Sequence, residues 1–286
     1  MDVGHLQALQ IGFVRIARNK KALAGGIITL TVLILAVIAP VIAPYDYETM
    51  HVGERFQGPS RDHLMGTDRF GRDAFTRVVY GSRISLTAAL TVAVMASLIG
   101  VPLGLICGYY GGLFDSLVMR LADVIFTFPA ILMALMLGTI IGPGLQTVTI
   151  SLSIVYSPQV ARLVRGEVLG LREKEFVEAS RASGAHPARL LLKHILPNCI
   201  AALMVQFSLI MAFSILAEAG ITYLGYGTQP PTPSWGLMLG DGRDYMVLAP
   251  HISIFPGLAI MYTVLGFNFL GDGLRDIFDP RMKGAS

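Results

Sequence analysis

The sequence predicts an all-α membrane protein of six transmembrane helices, on three observations. Of its 286 residues, 53% are hydrophobic and 14% charged, with a mean hydropathy of +0.63, which leaves too little polar surface to coat a water-soluble globule. Six runs of roughly 20 apolar residues recur at 22–43, 84–107, 117–141, 145–163, 199–224 and 252–270. These runs lack the alternation of barrel strands. An amide in hydrocarbon finds no water to bond, so a helix is the form in which each run satisfies its own backbone.

The first run follows Arg15, Arg18, Lys20 and Lys21, a pattern superficially like a signal peptide. Signal cores are only about 7–15 residues long, so this run reads as an uncleaved first span. Residues 44–83, with six Lys or Arg and six Asp or Glu, are expected to form an outer amphipathic segment. Pro102, Pro158 and Pro256 fall inside runs, as kinks that neighbouring helices can cover. Glycines at 108–112 and 142–144 mark tight turns. A Pro-rich stretch at 229–235 reads as either a docking surface or a stiff connector, with Trp235 as an interfacial anchor. Placing the N-terminus inside puts 15 of the 22 Lys and Arg on the cytoplasmic side, which predicts both termini in the cytoplasm.

Composition also excludes functions. A net charge of +3 without a basic, aromatic-interleaved stripe argues against nucleic-acid binding. Cys107 and Cys199 stand apart as two buried thiols, and the six histidines lack ligand spacing, so no metal is expected. None of the five lysines follows a glycine, which rules out a Walker loop, and no Gly-x-Ser-x-Gly elbow is present. No catalytic residue and no bound cofactor are therefore expected. Among intramembrane polar groups, Asp123 reads as interfacial, beside Arg120. Gln206, Glu218 and Asn268 are candidates to line a pathway or gate.

The connection at 164–198 is the most informative. Phe176, Val177, Ala179 and Ala182 recur at helical spacing among charges, predicting a short amphipathic helix over residues 173–183. Gly184 ends it, and His186-Pro187 reads as the cap and first position of the next helix. Pattern alone leaves two destinations open, a groove on another protein or the lipid headgroups.

The spacing goes further. Glu178-Ala179-Ser180, three residues, Gly184, nine residues, then His194-Ile195-Leu196-Pro197 resembles the EAA loop of ABC importer permeases, with Ser180 and His194 as mild departures. His63-Leu64-Met65-Gly66-Thr67-Asp68, Gly71-Arg72-Asp73, Gln229-Pro230-Pro231-Thr232-Pro233-Ser234-Trp235-Gly236 and Gly271-Asp272-Gly273-Leu274-Arg275-Asp276 are similar to the C-type subunits of dipeptide and oligopeptide importers, a family that includes nickel importers. The Asp279-Pro280-Arg281 tail fits as well. The resemblance implies a type I, MetI-like permease fold. It divides the chain into a tail, first span and periplasmic segment at 1–83, a permease domain at 84–275 and a cytoplasmic tail at 276–286.

By that resemblance the chain sits in a bacterial inner membrane and pairs with a second permease as a heterodimer. Two ATP-binding subunits carry ATP-Mg and a solute-binding protein delivers cargo, while lipid surrounds the spans. Phe176, Glu178, Ala179, Ser180, Gly184, His194, Leu196 and Pro197 would form the ATPase-coupling loop. The alternative is a stand-alone secondary transporter, but the internal repeats expected of one are not found. A membrane enzyme would show paired catalytic groups, and none emerges.

Overall fold

The computed structural model describes residues 19–278, which are helical apart from connecting loops, with no strand beyond one isolated bridge between Thr67 and Asp73. The basic residues Arg15 and Arg18 and the tail at 279–286 lie outside the described residues. The helices are α1 (Lys20–Ile42), α2 (Ala74–Tyr110), α3 (Gly112–Thr127), α4 (Ala130–Ile141), α5 (Leu145–Leu171), α6 (Glu175–Ala182), α7 (Pro187–Tyr223), α8 (Trp235–Gly242) and α9 (His251–Phe278).

Four of these, α1, α2, α7 and α9, are each long and apolar enough to cross a membrane, and the bent pair α3–α4 makes a fifth. The expected unbroken run at 117–141 is thus two helices meeting at 93°. Pro129 lacks an N–H and pushes the residue before it out of helical space, and Phe128 and Pro129 are both extended, with ψ of 132° and 131°. The expected span at 145–163 is helical but less apolar than the others. Protein covers its hydroxyls instead of lipid: Thr147, Ser151, Ser153 and Ser157 are buried. Ser153 and Ser157 donate to backbone carbonyls of their own helix, at 2.6 and 3.1 Å.

The tightest packing runs between α2 and α5. Gly100, Gly104 and Gly108 stand four residues apart on one face of α2, opposite Val160, Val164 and Val168 of α5. A Cβ added at any of the three would fall 2.5 or 2.6 Å from its nearest neighbour. This small-xxx-small spacing lets two backbones approach where lipid gives no hydrophobic driving force, so dispersion and fit hold the pair. α1 lies against α9 at the edge of the bundle, with Gly25 and Gly266 at the contact.

Residues 44–73 depart from the expected amphipathic segment. They form an irregular loop with one short turn at Val52–Glu54, folded around buried opposite charges. His63 pairs with Asp73 at 2.8 Å, Arg72 Nε donates to Asp68 at 2.6 Å, and Arg69 and Arg72 reach Asp241 of α8 at 2.8 and 3.4 Å. Acids and bases of the expected amphipathic segment thus pair with one another, with Asp68, Arg72 and Asp73 buried. Asp73 also caps α2, accepting the Thr76 N–H at 2.7 Å, so this helix starts ten residues before the expected span and continues through position 83. Likewise α9 continues past 275 to Phe278.

Trp235 is no interfacial anchor. It is 2% exposed, and its indole N–H donates to the Val78 carbonyl at 2.9 Å, pinning α8 onto α2.

Candidate coupling and pathway surfaces

α6 is an eight-residue helix attached to the bundle by one side. Val177 is fully buried and joins the core with Leu190, Leu191 and Ile195, whereas Glu178 and Ala179 are exposed and Phe176 is 45% exposed. Ser180 is half-buried. The helix ends in a Schellman motif: the Ala185 N–H donates to the Ser180 carbonyl at 3.2 Å and the Gly184 N–H to Arg181 at 3.0 Å. Such a motif needs a left-handed residue, and Gly184 has φ of +79°. The helix itself is shorter than expected, Glu175–Ala182 instead of 173–183, because the Lys174 carbonyl accepts its first bonds.

α7 begins as expected, with the His186 side chain accepting the Ala188 N–H at 3.3 Å and Pro187 in the first turn. Its first stretch then widens into a π-helical turn at Leu190–Ile195, against which α6 rests. His194 and Leu196 are half-buried in and just after that turn, and Pro197 is exposed where regular α-helix resumes. The Asn198 amide donates to the His194 carbonyl at 2.6 Å, a side-chain bond one turn back across the end of the wide turn.

Beneath α6, charged pairs tie the helix ends together. Arg165 of α5 forms a two-pronged pair with Asp115 of α3, at 2.5 and 2.7 Å. Arg172 donates to the Gly108 carbonyl at 3.2 Å, and the Arg181 guanidinium lies 5.7 Å from the Tyr109 ring. Side chains of α3, α5 and α6 therefore link the α2–α3 turn to both α5 and α6. Sequence reasoning passed over Asp115 and Arg165. Their signal is an acid just past a glycine turn and a base near the far end of another run, a pairing visible only once α3 and α5 are neighbours.

The three pathway candidates separate. Gln206 of α7 lines a groove of about 410 Å³ with Gln159, Arg162 and Phe213, its amide 3.4 Å from Gln159. Asn268 instead turns back on α9, donating to the Val264 carbonyl at 2.9 Å. Glu218 is 1% exposed and faces no open surface. Its carboxylate accepts from Ser85 at 3.2 Å and from Thr222 at 2.9 Å, with Thr228 at 3.5 Å. Hydroxyls on α2, α7 and the α7–α8 connection satisfy Glu218 in the interior of the chain, joining those elements. Asp123, expected beside Arg120, pairs instead with Arg162 of α5 at 2.5 Å, both about half exposed. Among the described residues no three of His, Cys, Asp and Glu gather to hold a metal.

The chain is thus a helical membrane bundle with a small anchored helix at one end and a groove carrying Gln159, Arg162 and Gln206 along one side. Comparison with known proteins defines it further. Residues 100–284 match the binding-protein-dependent transport system inner membrane component family, and residues 8–59 match the N-terminal TM domain of oligopeptide transport permease C. The chain belongs to the binding-protein-dependent transport system inner membrane component family, a family of ABC importer permeases and not of enzymes. It is 45% identical to the dipeptide transport system permease protein DppC of Alkalihalophilus pseudofirmus, over 95% of this chain and 89% of that one. It is 43% identical to the glutathione transport system permease protein GsiD of Pectobacterium atrosepticum, over 94% of this chain and 90% of that one. The inward-facing MetNI methionine ABC transporter shares the fold, with a TM-score of 0.56 at 20% identity, covering 71% of this chain and 96% of that chain. The all-α, MetI-like architecture expected from the resemblance is therefore the architecture observed.

Proposed function

We propose that this chain pairs with a second permease to form the pathway of an importer for small peptides, driven by two ATP-binding subunits that hold ATP-Mg and supplied by a solute-binding protein. The observation that carries this reading is α6: an exposed Phe176 beside exposed charges, on a helix whose opposite side is locked into the bundle by Val177. An aromatic presented in that way suits a groove on a partner protein. The similarity to dipeptide and glutathione permeases supports peptides and peptide-like solutes as cargo.

In this reading Phe176, Glu178, Ala179 and Ser180 meet an ATP-binding subunit, and closure of the ATPase pair pushes α6. Gly184 holds the turn, while the segment from His194 through Leu196 and Pro197 passes the push to α7, and Arg165–Asp115 and Arg172 pass it to α2, α3 and α5. The chain lies in a bacterial inner membrane with six spans, α5 crossing behind its protein cover, and both termini and α6 face the cytoplasm. The test is uptake of radiolabelled dialanine and glutathione by proteoliposomes holding the assembled importer and its solute-binding protein. ATP supplied on the α6 side is expected to drive accumulation of at least one. Accumulation driven equally by an ion gradient without ATP would overturn the reading in favour of a secondary transporter.

A further inference from the structure

The faces of α1, α2 and α9 that meet the surroundings are apolar, with Leu30, Val37, Leu98 and Leu258 among their exposed side chains. The face shared by α3, α5 and α7 is different. Gln159 and Gln206 approach each other at 3.4 Å across α5 and α7, and the Asp123–Arg162 pair stands beside them with side chains 55% and 49% exposed. An exposed ion pair and two half-satisfied amides are costly against hydrocarbon, where no water completes their hydrogen bonds.

The polar character continues down the helices. The groove at Gln206 opens into a second one of about 610 Å³, lined by Glu167, Asn198 and Arg275 and sharing Leu163, Gln206 and Leu209 with the first. From Phe213 to Asn198 the two grooves, with Ala202, Val205 and Leu209 between their polar side chains, form a stripe that follows α7 for about 22 Å at about 1.5 Å per residue, most of the thickness of a hydrocarbon core.

We propose that this stripe is the wall of the solute pathway contributed by this chain, and that Gln159 and Gln206 contact the amide groups of a small zwitterionic peptide. The inference rests on the importer reading and adds to it which face carries cargo and by what chemistry. A glutamine amide offers an acceptor and two donors, the complement of a peptide bond's own pair, and carries no charge that would favour one side-chain sequence. Asp123 and Arg162 neutralise each other when the pathway is empty. When a peptide passes, Arg162 presents donors to its carboxylate and Asp123 an acceptor to its ammonium group, at about half exposure. The Arg162 guanidinium, 4.5 Å from the Phe126 ring, is held in place by the aromatic face.

The experiment uses the complete importer. Gln159→Cys, Gln206→Cys and, as a lipid-facing control, Leu98→Cys are each treated with a charged, water-soluble methanethiosulfonate reagent, with and without a mixture of alanine-containing dipeptides delivered by the solute-binding protein. The parent thiols, Cys107 and Cys199, are fully buried and set the background. A thiol in wet surroundings ionises and one in lipid does not, so labelling at 159 and 206 is expected to exceed that at 98 by about tenfold or more. The dipeptides are expected to slow it at 159 and 206 alone. No excess labelling in a complex that assembles and hydrolyses ATP would mean that lipid or the second permease covers the face, overturning the pathway assignment while leaving the importer reading intact. Full labelling without protection would overturn the peptide contact. Failure to assemble with ATPase subunits would bring down the importer reading, and this inference with it.

Discussion

At Gly184 a single backbone angle holds the proposed coupling loop in shape. A Cβ at this position would meet nothing within 4 Å, so a substitution costs conformation and not space. At φ of +79° a residue with a Cβ costs roughly 1–2 kcal/mol, more for a β-branched one, whereas Asn tolerates the left-handed region. Gly184→Val is therefore expected to leave the chain inserted, by immunoblot of membranes, while sharply lowering ATP-driven uptake. Gly184→Asn is expected to keep most of it. Equal transport by all three forms would remove the coupling role from this turn. The glycine was legible in the sequence because an amphipathic run stops at it, and His186 and Pro187 because cap and first-turn chemistry are local. Glu218 was not legible. Its partners lie at Ser85, Thr222 and Thr228, so its environment is set by the packing of α2 and α7 and by the chain beyond α7.

Among elements, the α2–α5 pair is the frame on which the remaining pieces hang, since α2 also receives α7 and Trp235 of α8. Gly104→Ala would drive a Cβ to 2.5 Å from the Ala161 carbonyl oxygen, and such overpacking costs on the order of 1–3 kcal/mol. The variant is expected to lower the unfolding midpoint of the detergent-purified protein. Gly166→Ala, on the open side of α5, should leave it unchanged or raise it, since Ala is the better helix former. Indistinguishable midpoints for the two would show that the glycine face is not what holds the pair together. The Gly100, Gly104 and Gly108 spacing stood in the sequence, but hydropathy ignores which face a glycine occupies. Hydropathy located the helices well and their interruptions poorly. Pro129 sits in an unbroken apolar run and still turns the chain by 93°, whereas Pro102, Pro158 and Pro256 lie within continuous helices. The difference lies in the backbone: at Phe128 and Pro129 it is extended, which a helix cannot absorb.

For the molecule as a whole, apolar composition and charge placement announced a helical membrane chain, and the loop from Glu178 to Pro197 carried its class. What neither could show is how the loop at 44–73 uses its charges. Opposite signs mixed along the segment read as the polar side of an amphipathic stretch, yet here Asp68 and Arg72 of the loop are buried and drawn together with Asp241 of α8. That knot ties the loop at 44–73 to α8 and to the start of α2, so that in the proposed mechanism a push at α6 would meet a braced structure. The central claim is that α6 joins this chain to ATP-binding subunits. The most direct test is to tag the chain, extract it from its native membrane in mild detergent, identify what remains bound and assay the eluate for ATPase activity. A second permease and ATP-binding subunits are expected to co-purify, and the ATP-binding subunits to be lost when Phe176, Glu178 and Gly184 are replaced together. A chain that purifies alone and still transports in liposomes without ATP would contradict the account.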